Sequence, residues 1–543
     1  MAVDRGRVLA LGNDTEILTA FSELGEIVDL GGRAVLPGLT DAHIHLQHYA
    51  LGLQAVDCET SSRAECLSRV AERARQTPPR GWILGHGWNH NEWPDGFGSA
   101  TELDRVAPQH PVYLTAKSLH AAWANSLALH QAGITADLPD PEGGSFLRDR
   151  SGNPTGILLE GAMTLVANQI PEPSPAQVAN AIRDAQNRLW SFGLTGVHDF
   201  DRQTCFAALQ ILHANAELGL RVVKSIPLEA LPHAVGLGLR TGFGDDFLRI
   251  GGIKIFSDGA LGPRTAAMLQ PYEAEPDNRG MLLLDAEEIY EHGRLALANG
   301  LSLAVHAIGD RANHEVLNAY AQLRIFERDL IAEHSLHPAK TASPATAHVS
   351  PQRLRIEHVQ IIHPQDAPRL AQLGIIASMQ PIHATSDFPA ADRYWGERAE
   401  QAYAWQTLLQ LGTRLAFGSD APVESPNPFW GLHAAITRRR ADGSPSPEGW
   451  YSNQRLELLE ALRGFTLGAA YAAGLEDRLG RLAPGFLADL IVLETDPFTC
   501  PPDQLHALRV LGTMVSGKWV YLDAPLNDLI SSAAHPPGAS LPQ

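Results

Sequence analysis

From Thr195 onward the sequence alternates short runs rich in valine, isoleucine and leucine with stretches of helical spacing, the pattern of βα units around a parallel sheet. Strands are predicted at 195–200 (TGVHDF), 221–228 (RVVKSIPL), 251–257, 301–308, 353–362, 374–381 (GIIASMQP) and 414–420. An earlier apolar run, LPGLTDAHIH, ends in His43 and His45 and makes an eighth, the number that closes a TIM-type (β/α)8 barrel. Polar residues recur where later strands end: Lys254 in GGIKIFSDG, His306 in LSLAVHAIGD, His358 in RLRIEHVQII and Asp420 in RLAFGSDAP. Barrel enzymes build their sites at the C-terminal ends of strands, so these residues are predicted to share one mouth. Between strands, SPAQVANAIRDAQNRLWSFG reads as a helix with Ser174 as N-cap, Pro175 at N1, Gln177 at N3 and a stop at Gly193. Val178, Ile182, Ala185 and Leu189 mark its packing face.

The barrel is assigned to 36–49 plus 191–479. The stretch 50–190 is too long for a barrel connection and carries its own strand-like runs, WILGHGWN and PVYLTA, so it is read as an inserted subdomain. Residues 1–35 (GRVLALG, GEIVDL) and 480–526 (ADLIVLE, TMVSGKWVYL) are β-rich and are predicted to pair into a small β-sandwich, with a hairpin turn at Ser516-Gly517. Residues 333–350 and the tail 527–543 read as loop or disorder.

Forty-two basic against 61 acidic residues leave a net charge of -19, dispersed along the chain. That surface repels polyphosphates and anionic lipid, which disfavours nucleic acid and membrane partners and leaves a small-molecule substrate; a homo-oligomer is compatible. Four cysteines (58, 66, 205, 500) without a CxxC indicate neither a disulfide framework nor a thiolate zinc site, and read as packing residues. With no signal-peptide pattern and no membrane-length apolar run, a cytoplasmic location is expected.

Residues two apart on a strand point the same way, so His43 and His45 are placed to grip one metal ion or to form a polar strand end. The imidazoles and carboxylate of His43, His45, His306, His358 and Asp420 suit Zn2+ or another first-row divalent ion. Lys254 does not: an ammonium repels a cation, so it is either a surface charge or a CO2-derived carbamate able to bridge two ions.

The order HxH, Lys, His, His, Asp resembles the amidohydrolase superfamily of metal-dependent hydrolases. GGIKIFSDGALGPRTAAM, GWNHNEW, VYLTAKSLHAAWANS, AVHAIGDRAN, RIEHVQ and FGSDAPVESPNP resemble its family 3 subgroup, which includes N-substituted formamide deformylase. The resemblance extends to GFLADLIVLETDP and covers nearly the whole chain. It implies that His43 and His45 bind the more buried metal, that Lys254 as a carbamate bridges to a second held by His306 and His358, and that Asp420 binds the first metal and accepts a proton. Metal binding lowers the pKa of a water from about 16 to roughly 7, giving a hydroxide that attacks a carbonyl. The implied reaction is hydrolysis of a non-peptide carbon–nitrogen bond in an amide or formamide. The chain departs from the family pattern twice. MAVDRGRVLALG lacks the usual first sandwich strand, which leaves the native start open, and Ser118-Leu119 replace Asp-Gly before His120, which puts the local shape there in question.

Within the insertion, Trp88 with His86 and His90 reads either as a substrate wall or as an aromatic core, and the resemblance favours substrate contact for His120 and Trp123. Arg264 reads as a substrate clamp or a loop-holding ion pair. His198 reads as structural or pocket-lining, and Asp310 and Arg311 as a helix start. A metal-dependent lyase or isomerase is the alternative activity. A noncatalytic scaffold is disfavoured because all six ligand positions are filled.

Overall fold

The computed structural model describes residues 1–530, apart from 24, 91–92, 118–120, 142, 337–350, 525 and 528–529. The chain divides into two compact units, 1–49 with 182–543 and 50–181.

The first unit contains a nearly closed (β/α)8 barrel. Its strands are β1 (Leu39–Ile44), β2 (Leu194–Asp199), β3 (Arg221–Pro227), β4 (Leu248–Phe256), β5 (Leu303–Ala307), β6 (Arg355–His358), β7 (Ile376–Met379) and β8 (Arg414–Phe417), all parallel and paired in chain order. Every residue of β2, β5, β6 and β7 is buried, as expected of strands covered on both faces. β8 returns to β1 just beyond its end: the Asp420 amide donates to the His43 carbonyl (2.7 Å) and the His45 amide to the Ala421 carbonyl (2.9 Å). Asp41 fastens the same seam, accepting from the Ser419 amide (3.0 Å) and hydroxyl (2.5 Å). Gly418 is required there, because a Cβ would stand 2.4 Å from the His43 nitrogen. The predicted helix forms over Pro175–Ser191, with the Ser174–Gln177 capping box made and Val178, Ile182, Ala185 and Leu189 buried.

Beside the barrel strands in sequence, Ala34–Pro37 pairs antiparallel with Leu490–Leu493, which continues through Val510–Val515 to Lys518–Leu522. The hairpin turns at Ser516-Gly517, both at positive φ (49° and 74°), as the two-residue loop demands. GEIVDL does not form the expected strand. Ile27 is 51% exposed, and Gly31-Gly32, at φ 60° and 73°, turn the chain so that Ala34–Pro37 joins the sheet instead. Residues 333–336 end a helix, Asp310–Leu336, rather than a loop; the rest of 333–350 and the tail from 531 lie outside the described residues.

The second unit holds a six-stranded mixed sheet in which Ile83–Trp88 and Val112–Ala116, the two predicted runs, pair in parallel. No helix among the described residues is long and apolar enough to cross a membrane.

Candidate metal centre

Four of the six predicted ligands meet at the C-terminal mouth of the barrel. The ligand atoms of His43, His45 and Asp420 lie within 4.8 Å of one another, as do those of His358, His383 and Asp420. Asp420 joins the two groups: one oxygen is 3.6 Å from His43 Nε2 and 3.4 Å from His45 Nε2, and the other is 4.0 Å from His383 Nε2. His358 adjoins His43, with ring centroids 4.8 Å apart. Asp420 and His358 both hold left-handed backbone (φ 62° and 75°), a conformation that costs free energy outside glycine and clusters at functional sites.

The site fits a divalent cation because each imidazole is oriented by a partner on its far nitrogen. His43 Nδ1 donates to Glu357 (2.6 Å), His45 Nδ1 to Asp201 (3.1 Å) and His358 Nδ1 to the Gln380 carbonyl (2.8 Å). Carboxylates and carbonyls only accept, so Nδ1 carries a proton in each and Nε2 is the nitrogen turned toward the ion, with its lone pair free in His43 and His358. Glu357 is itself held by Arg355, at 2.5 and 2.9 Å, and Arg355 reaches His198 (2.9 Å), Ser378 (2.6 Å) and the Ala42 carbonyl (2.7 Å). His198 therefore belongs to this buried network below the ligands.

Burial, reinforced by Lys254, pushes His43 down to about 4, and burial with His306 and His43 holds His358 well below the usual range; both are neutral donors at pH 7. Burial works against ionised Glu357 and Asp420, but Arg355 and His43 hold the first well below the carboxylate range, and His43 and His45 the second. Burial also disfavours a charged His45, yet its bonds to Asp201 and Asp420 outweigh that and push it up to about 9, so a proton competes with a cation for Nε2.

Lys254 is 3% exposed, which removes the surface-charge reading. Its ammonium lies 4.5 Å from the Phe200 ring centroid and 4.9 Å from that of Phe256, and burial pushes it down to about 8. His306 stands beside His358 (ring centroids 4.6 Å) with Nε2 2.9 Å from the Gly259 carbonyl, which leaves Nδ1. Among the described residues, His306 falls in no group of three close ligand atoms. Asp310 caps the loop amide of Leu269 (2.8 Å), a structural role.

The residues expected to touch substrate are placed otherwise. Trp88 and Trp123 are core residues of the second unit, at 1% and 0% exposure, and donate to the carbonyls of Leu114 (2.8 Å) and Ser99 (3.0 Å). That corrects the substrate-wall reading, since an indole sealed on all faces offers nothing to a ligand. His90 stacks on Phe97 (3.9 Å) and His86 bonds Thr115 (2.8 Å); His120 lies outside the described residues. Arg264 pairs with Glu275 at 2.9 Å and stands over Tyr394, the loop-holding alternative. The sequence reading missed Glu357, Arg355, Asp201, Gln380 and His383.

The amidohydrolase family sequence profile matches residues 26–521. YtcJ of Bacillus subtilis (strain 168), named for amidohydrolases, is 34% identical over 506 residues, covering 91% of this chain and 90% of its own. The N-substituted formamide deformylase of Arthrobacter pascens is 29% identical over 536 residues, covering 95% and 93%. An uncharacterized metal-dependent hydrolase from Pyrococcus furiosus superposes with a TM-score of 0.73 at 29% identity, over 92% of this chain and 95% of the other.

Proposed function

This chain belongs to the amidohydrolase family and is a metal-dependent hydrolase, and from that premise we propose that it cleaves a non-peptide carbon–nitrogen bond in an amide or N-substituted formamide. The observation that carries the reading is the convergence of His43, His45 and Asp420 with the far nitrogens of both imidazoles locked by Glu357 and Asp201. The relative named as a formamide deformylase supports the substrate class.

His43, His45 and Asp420 would hold a divalent cation, zinc as first choice, which when bound would supply a hydroxide at neutral pH and polarise the substrate carbonyl. Lys254, whose burial favours the neutral amine, would add CO2 at Nζ with release of a proton, and the anionic carbamate, with His306 and His358, would hold a second cation. Asp420 accepts the proton of the attacking water on a carboxylate oxygen and delivers it to the leaving nitrogen, which departs as an amine. A 13C carbamate resonance after labelling with bicarbonate, absent in Lys254→Ala, is expected; its absence from the wild type removes the bridge.

The test is turnover of a panel of N-acyl and N-formyl amines by zinc-loaded protein in 18O water. Free amine plus an acid carrying one 18O is expected. Products without 18O assign a lyase or isomerase, and an uncleaved panel refutes the substrate class.

A further inference from the structure

β7 contributes no ligand to the six-residue set, yet the helix after it, Pro381–Trp395, turns His383 into the barrel mouth. His383 is 5% exposed, and its Nε2 is buried without a hydrogen-bond partner among the described residues. That nitrogen lies 4.0 Å from the Asp420 oxygen that does not face His43 and His45, and the ring lies parallel to His358 (9°, centroids 6.3 Å). A buried imidazole nitrogen without a protein partner, aimed at a carboxylate and a second imidazole, is placed to take a ligand.

The ligand class follows from the neighbours. His358, His383 and Asp420 bring ligand atoms within 4.8 Å of one another. Zinc–ligand bonds of about 2.0–2.1 Å put the ligand atoms of a tetrahedral ion about 3.4 Å apart, so rotations moving atoms by roughly 1 Å complete the set. The supporting amides agree. Gln380 presents its carbonyl to His358 Nδ1 and leaves its own Nε2 without a partner. Gln360 lies 3.3 Å from His383 Nδ1 through Nε2, with Oε1 buried and unpartnered. The two ends of an amide are interchangeable in shape, and a half-turn of Gln360 reproduces the Gln380–His358 arrangement: Oε1 on Nδ1–H, and a lone pair free on His383 Nε2.

We propose that His383 is a further ligand of the second divalent cation, the one that His358 holds through its single free nitrogen, with Asp420 bridging from it to the His43–His45 side. The inference rests on the metal dependence of the enzyme and not on the bond it cleaves.

Zinc stoichiometry and affinity, by competition with a chromophoric chelator, are to be compared in wild type, His383→Ala, His383→Gln and His43→Ala. Both His383 variants are expected to bind one zinc fewer per chain, or to hold the weaker zinc at least tenfold less tightly, and to change the visible bands of the Co2+-loaded protein. If they match wild type within threefold while His43→Ala loses zinc, His383 is no ligand, and any fall in turnover marks it as a donor to substrate. If His43→Ala is also unchanged, the metal-centre reading falls with it. Anomalous diffraction at the zinc edge from wild-type crystals covers variants that do not fold: an ion about 2.1 Å from His383 Nε2 supports the proposal, and none within about 3 Å overturns it.

Discussion

Replacing Glu357 by alanine should destabilise the metal-free protein and weaken zinc binding together. Glu357 is fully buried and takes three charge-assisted bonds, from Arg355 (2.5 and 2.9 Å) and from His43 Nδ1 (2.6 Å). Its removal leaves the Arg355 guanidinium uncompensated in the barrel interior, a class of change that costs about 3–5 kcal/mol. Glu357→Gln keeps the shape and one acceptor and should cost about 1.5–3 kcal/mol. Glu357→Ala releases the His43 ring from its fixed tautomer, so its zinc affinity should fall by about 10- to 100-fold, whereas the Gln carbonyl can still accept from Nδ1 and should cost less. The folded-state pKa of Glu357 lies below its ordinary 4.5, so its contribution is complete above that value and is lost as pH falls through the folded pKa. The gap between wild type and variant should therefore hold steady from about pH 6 to 8 and narrow in acid. Urea denaturation of chelator-treated protein across this range, with zinc competition at pH 7, measures both. A Glu357→Ala protein within about 1 kcal/mol of wild type, with unchanged zinc affinity, would refute the reasoning.

Asp420→Asn should fold and retain zinc but lose about 10²- to 10⁴-fold in turnover of the best amide, since an amide cannot take the proton; near-normal turnover with an unshifted pH profile assigns the base elsewhere. His45 stands near 9 without a cation, so zinc uptake at pH 7–8 should release a proton, and affinity should rise by up to about tenfold per pH unit until about 9. Calorimetry in buffers of different ionisation enthalpy reads this directly, and a flat affinity from pH 7 to 9 contradicts it. Trp123→Ala empties the core of the 50–181 unit and should destabilise it by about 3–5 kcal/mol with the zinc content of the barrel unchanged; a stable variant with an altered KM restores the substrate-wall reading.

The barrel was legible because strands covered on both faces must be apolar throughout, and a polar residue at such a strand's end therefore stands out. His43, His45, His358 and Asp420 were visible in this way. Glu357 and Arg355 were not singled out, although two charges two apart in RLRIEH share one face of a buried strand and must find partners there. His383 was hidden for another reason: it lies on a helix past the strand end, where sequence gives no direction for the side chain. Trp88 and Trp123 misled because aromatic density marks a core and a binding wall alike; only burial on every face separates them. GEIVDL has strand composition but pairs with no strand, because pairing is a property of the folded sheet rather than of the segment.

The most direct test of the central claim is zinc content and hydrolysis measured on one preparation, before and after chelation and after zinc is returned, alongside the double variant His43→Asn/His45→Asn. At least one tightly held ion per chain, hydrolysis that vanishes with the ion and returns with it, and neither property in the double variant are the expected results. Full hydrolysis by a protein shown by elemental analysis to be metal-free would contradict the account.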